Sequence, residues 1–201
     1  MVRFAVVPVA YVYLGRDDKV LLQRRQNTGY MDDMWVAGAA GHIELGETAA
    51  GTAVREAGEE LGVQLDSAAL RPVTIMQRTD RTANPREQCA DWFFTVATWS
   101  GEPAALETNK CAAIAWFSLA NLPDEIPEYE RVVPDGLAAG TRISSRASVS
   151  GEEGLVRSAH DLSMMSGVTI VDQDGSDDGV SRVQCSRRAT LGDCGCAMIP
   201  G

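Results

Sequence analysis

The stretch that decides the fold is GHIELGETAAGTAVREAGEELGV, Gly41 to Val63. A glycine is followed six residues on by Glu47, then by Arg55-Glu56, Glu59-Glu60 and Gly62, so the acids fall three and four residues apart. On a helix that spacing puts Glu56, Glu59 and Glu60 on one face, because residues at i, i+3 and i+4 are surface neighbours. Clustered carboxylates repel unless a cation neutralises them. An all-oxygen donor set suits a hard divalent ion, Mg²⁺ or Mn²⁺, which completes its shell with water and substrate phosphate. A phosphate-processing metal site is the expectation.

The helix itself is legible. Ala50, Ala53, Val54, Ala57 and Leu61 recur at helical spacing and form one apolar stripe, with the three glutamates expected on the opposite side. Thr48 is placed to cap the start, and Gly62 to end the helix in the left-handed conformation. Gly51 and Gly58 lie inside, each costing about 1 kcal/mol relative to alanine, which predicts that close packing selected them.

The segment resembles the Nudix box, the signature of the Nudix hydrolases, at Gly41, Glu47, Arg55, Glu56, Glu59, Glu60, Gly62 and Val63. Ala57 departs from it, standing where that family usually carries a larger aliphatic residue. The resemblance implies an α+β chain with the Nudix α/β/α sandwich around a mixed β-sheet. It also implies that Glu56, Glu59 and Glu60 ligate the cation, with the backbone carbonyl of Ala40 as a further oxygen ligand. Arg55 would pair with Glu47 and hold the loop against the helix. A box glutamate, Glu59 or Glu60, or a later one, Glu107, would activate the water.

Substrate contacts are expected from the flanks. Arg24 and Arg25 end an apolar strand and are planar donors suited to diphosphate oxygens. Lys110 is a further phosphate candidate, and His42 adjoins the box glycine. Tyr30, beside Gly29 in a polar loop, is the candidate for stacking on a nucleobase, whereas Trp35 and Phe93 are expected in the core.

The chain has 201 residues, 45% hydrophobic, enough for one good core. Its formal charge of −10 argues against general binding to nucleic acid or to an anionic membrane, which rests on clustered Lys and Arg. Arg3 before an apolar run imitates a leader peptide, but Pro8 interrupts the run and Gly15-Arg16-Asp17-Asp18 reads as a turn, so a cytoplasmic protein is expected. The five cysteines form no disulfide framework, and Cys185, Cys194 and Cys196 with His160 match no common zinc spacing.

Strands are expected at about 4–14, 19–25, 73–78, 91–99 and 113–117, with a second helix near 124–138. Residues 1–138 form the expected domain. Residues 139–201, rich in Ser, Gly, Asp and Arg and lacking any Trp, Tyr or Phe, read as a flexible polar tail. The function expected is a Mg²⁺-dependent hydrolase, with Mn²⁺ as an alternative ion, that cleaves the pyrophosphate linkage of a nucleoside diphosphate joined to another moiety. A nucleoside triphosphate or related small nucleotide is the favoured substrate, and a homodimer is one possible assembly. The alternatives are a nucleotide-binding regulatory protein without turnover and a prenyl-diphosphate isomerase.

Overall fold

The computed structural model describes residues 5–82, 84–140, 143 and 146–149. In chain order the elements are β1 (Val7–Arg16), β2 (Lys19–Arg25), β3 (Trp35–Ala37), β4 (Ala39–His42), α1 (Ala49–Leu61), β5 (Arg71–Thr79), β6 (Cys89–Val96), β7 (Cys111–Ser118), α2 (Glu128–Ala138) and β8 (Arg146–Val149). The sheet runs β3-β2-β1-β6-β5-β8, with β4 also paired to β1 and β7 to β2. It is mixed: β1 and β6 are parallel from Val7↔Cys89 to Leu14↔Val96, as are β5 and β8, and the other pairs are antiparallel.

The unbroken buried run Val9–Leu14 marks β1 as a central strand covered on both faces. Strand alternation divides it. Ala10, Val12 and Leu14 join Ala53, Ala57 and Leu61 of α1 in one core, while Val9, Tyr11 and Tyr13 join Ile126, Tyr129 and Val133 around α2 in the other. The sheet is thus sandwiched between two helices, as expected. Phe93 is buried and stacks on Tyr11 at 4.7 Å, and Trp35 meets Phe117 edge-on at 4.7 Å, so both serve packing.

The second expected strand keeps its bounds, and the others shift by a few residues at their ends. Two strands went unforeseen in the glycine- and alanine-rich approach to the box, β3 and β4. They are three and four residues long, too short for alternation to register. The second helix begins at Glu128 rather than 124 because Pro127 occupies its N-cap. Arg146–Val149, inside the expected tail, pairs with β5 from Met76↔Arg146 to Thr79↔Val149. Cys185, Cys194, Cys196, His160 and most of the expected tail lie outside the described residues. Cys89 and Cys111 are free, buried thiols. Among the described residues no helix is long and apolar enough to cross a membrane.

Candidate active site

The site is built on α1 and the strand before it. Thr48 caps the helix, its Oγ1 accepting the Gly51 N–H at 3.1 Å, and Gly62 ends it at φ 70° with its N–H returned to the last turn. Both caps stand where the sequence placed them. Two other expectations need correction. Gly58 is exposed, and a Cβ there would meet the Val63 carbonyl oxygen at an ordinary 3.7 Å, so close packing does not account for it. The three glutamates are not opposite the apolar stripe: only Glu59 is well exposed, because at about 100° per residue Glu60 flanks Ala57 and Leu61 rather than facing away from them.

Glu60 is accordingly held from inside. Its Oε2 accepts the backbone N–H of Ala40 at 3.1 Å and the Nε2–H of Gln23 at 3.0 Å. Burial pushes its pKa up to about 7, and the charges of Glu56 and Glu107 push in the same direction against those two hydrogen bonds. Glu56 is likewise raised by burial and, after the opposing pull of Arg55, by Glu59 and Glu107. Gly41 explains itself here, since a Cβ on it would overlap the Glu56 carboxylate.

Arg55 ties the loop to the helix. Its Nε donates to Glu47 Oε1 at 2.8 Å and its Nη2 to Glu47 Oε2 at 3.1 Å, a bidentate pair. Nη2 also donates to the His42 carbonyl at 3.2 Å, while Nη1 reaches Glu56 at 2.7 Å and Glu59 at 3.1 Å. Glu47 further accepts from the Thr52 hydroxyl at 2.7 Å and the Glu44 N–H at 3.1 Å. Arg55 first, then Thr52 and the Glu44 N–H, lower its pKa to about 2. The expected Arg55–Glu47 pair is present.

Glu107 arrives from a distant loop. The Ala104 N–H donates to the Leu61 carbonyl at 3.0 Å and the Leu106 N–H to the Glu60 carbonyl at 2.9 Å, which docks that loop on the exposed last turn of α1. Glu107 then accepts from Lys110 Nζ at 2.9 Å, a bond that raises the lysine pKa. Arg24 is exposed and pairs with Asp33 at 3.4 Å, and Arg25 donates to the Tyr30 carbonyl at 3.0 Å. The Tyr30 hydroxyl accepts from buried Arg78 at 3.0 Å, which anchors one edge of its ring. The His42 side chain is exposed at the end of β4.

Gln23 and Thr52 went unsuggested by the sequence. Gln23 directly follows the apolar run Val20–Leu22, and a neutral polar residue there is the signal that would have found it. As placed, the carboxylates of Glu56 and Glu59 lean on Arg55 and that of Glu60 on Ala40 and Gln23, and among the described residues no group of three acidic, His or Cys side chains is already gathered for a metal. The donor chemistry nevertheless fits a divalent cation. Glu56, Glu60 and Glu107 are hard oxygen donors, and the charge of Glu107 raises the proton affinity of the other two, a repulsion that such an ion relieves.

Solved structures share this architecture. A MutT NUDIX hydrolase from Burkholderia pseudomallei aligns with a TM-score of 0.55 at 24% identity, covering 66% of this chain and 98% of its own. The MutT protein of Bacillus halodurans aligns at 0.57 and 19%, covering 75% and 95%. A bifunctional NMN adenylyltransferase/ADP ribose pyrophosphatase from Francisella tularensis, complexed with AMP and a Mn ion, aligns at 0.54 and 20%, covering 67% and 42%. At these identities the likeness speaks to fold. No curated protein matches the sequence. The family rests on the sequence itself, which matches the NUDIX domain from residue 5 to residue 136, across β1–β7, the box helix and most of α2, and this chain therefore belongs to the Nudix hydrolases, a family of pyrophosphohydrolases.

Proposed function

We propose that this protein is a Mg²⁺-dependent hydrolase, with Mn²⁺ as an effective substitute, that cleaves the pyrophosphate linkage of a nucleoside diphosphate joined to another moiety, a nucleoside triphosphate or related small nucleotide being the favoured substrate. The observation that carries this reading is the convergence of Glu56 and Glu60 from α1 with Glu107 from a distant loop, beside an arginine already clamped to Glu47. Glu56, Glu59 and Glu60 hold the cation, with Ala40 contributing backbone at the same place. A divalent ion held by these residues would neutralise phosphoryl charge and lower the pKa of water. Arg55 keeps the loop and the acids in register, and the box glutamates or Glu107 take the proton from the attacking water. Lys110, Arg24, Arg25 and His42 meet phosphate oxygens, and Tyr30 meets the base. The Mn and AMP found with the Francisella tularensis protein support a nucleotide and a divalent ion on this fold.

Phosphate and nucleotide release from a panel of nucleoside triphosphates, dinucleotides and sugar nucleotides, with Mg²⁺ and Mn²⁺, tests the reading in wild type and Glu60→Gln. Metal-dependent turnover lost in the variant is expected. Tight nucleotide binding without turnover would instead indicate a regulatory protein, and isomerisation of a prenyl diphosphate an isomerase.

A further inference from the structure

Between β3 and β4 the chain changes partners. Trp35–Ala37 pairs with β2 from Arg24↔Trp35 to Leu22↔Ala37, and Ala39–His42 pairs with β1 from Val12↔Ala39 to Val9↔His42. Gly38 is the switch, and it is hemmed in: a Cβ there would lie 3.3 Å from the Leu21 carbonyl oxygen and 3.5 Å from both Leu61 Cδ1 and the Val12 carbonyl oxygen. A buried strand that leaves one partner for another risks unpaired backbone groups at the change. Here two carboxylates take them. Glu60 of α1 accepts the Ala40 N–H at 3.1 Å, and Glu130 of α2, 1% exposed, accepts the Ala37 N–H at 2.6 Å and the Tyr13 hydroxyl at 3.2 Å. The two helices cover opposite faces of the sheet, so the segment is held from both sides.

We propose that Glu130 is a positioning residue for the active site: it anchors the partner-switching segment from the far face and so sets where Ala40, Gly41 and the Glu60 carboxylate stand. Three of the contacts that aim the acids pass through this segment. Ala40 holds Glu60, Gly41 leaves room for Glu56, and the His42 carbonyl receives Arg55. What matters at position 130 is a hydrogen-bond acceptor on a side chain of this length, not its charge. The inference rests on the α1 acids being the working site.

The test compares Glu130→Leu, Glu130→Gln and wild type, reading amide hydrogen exchange at Ala37 and Ala40 in the metal-free protein together with kcat and KM on the best substrate of the panel. In Glu130→Leu, exchange should quicken at both amides and kcat should fall about 10- to 100-fold with KM within about threefold, the range for partners that orient a metal site. Glu130→Gln, which keeps an acceptor, should restore kcat to within about threefold of wild type, as expected if acceptance alone is needed. A folded Glu130→Leu with wild-type exchange at Ala40 and wild-type kcat would overturn the proposal, and so would a Glu130→Gln as impaired as the leucine variant. Should Glu130→Leu fail to fold, Tyr13→Phe removes the donor that steadies the same oxygen: faster exchange at Ala37 and Ala40 supports the proposal, and unchanged exchange at Ala40 overturns it. If wild type turns over nothing on the panel, the functional reading fails, and the exchange measurements still decide the anchoring.

Discussion

The two faces of the sheet handle charge in opposite ways. On the α1 face, three acids, Glu47, Glu56 and Glu59, share one arginine, while Glu60 leans on Ala40 and Gln23, and the surplus negative charge lies nearer the surface. On the α2 face the charge is largely internal. Arg78, with 4% of its side chain exposed, pairs with fully buried Asp91 at 3.1 Å and with Glu87 at 3.0 Å, and lies 4.3 Å over the Tyr129 ring. Asp91 Oδ1 has no hydrogen-bond partner among the described residues, and burial raises that carboxyl to about 6 against the pull of Arg78. One face gathers partly exposed acids around a single arginine, and the other uses buried acids to fasten backbone and side chains. Removing a charge should therefore cost activity on the first face and stability on the second.

Glu60→Gln should break the contrast most visibly, lowering kcat by about 10²- to 10⁴-fold, the scale of a lost acid–base group, while the melting temperature holds or rises because a buried carboxyl has been neutralised. A kcat within tenfold of wild type would remove Glu60 from the chemistry. Arg78→Met is the mirror experiment. It strands Asp91 without its cation, so denaturant unfolding should show a loss of about 3–5 kcal/mol. A loss below about 1 kcal/mol would place the pair among those worth no more than a surface contact.

The third prediction uses pH. Burial raises Glu130 from its ordinary 4.5 to about 7, so between those values the folded chain retains a proton that the unfolded chain has released. Stability then falls as pH rises through that window, by at most about 3 kcal/mol. Glu130→Gln, which cannot ionise, should gain on wild type between pH 5 and pH 8 in thermal melts. A difference between the two proteins that does not change with pH would mean that Glu130 is ionised throughout. Smallest is Thr48→Ala, which removes the α1 cap and should cost about 1 kcal/mol in unfolding free energy.

How much of this was legible follows the same division. Helix α1, its Thr48 and Gly62 caps and the Arg55–Glu47 pair can be read directly, because each depends on residues within a few turns of one another. Even there, the sidedness of Glu60 was misjudged, since a flanking position on a helix becomes buried only when a neighbouring strand lies against it. Strands β3 and β4 are too short, and too rich in glycine and alanine, to show a period. Arg78, Asp91 and Glu130 gave no signal because their partners are separated by up to 117 residues, from Tyr13 to Glu130.

The sequence by itself determined the box helix, its ends and the acid spacing, because helical periodicity and capping act over single turns, and the resemblance of that spacing to the Nudix box pointed to the family. Only the tertiary structure decided that Gln23 and Ala40 would seat Glu60, that a loop docked on the helix end would deliver Glu107, and that Glu130 would reach through from the far face. Those contacts join residues from separate elements, and what brings them together is the burial of two apolar cores rather than any local pattern.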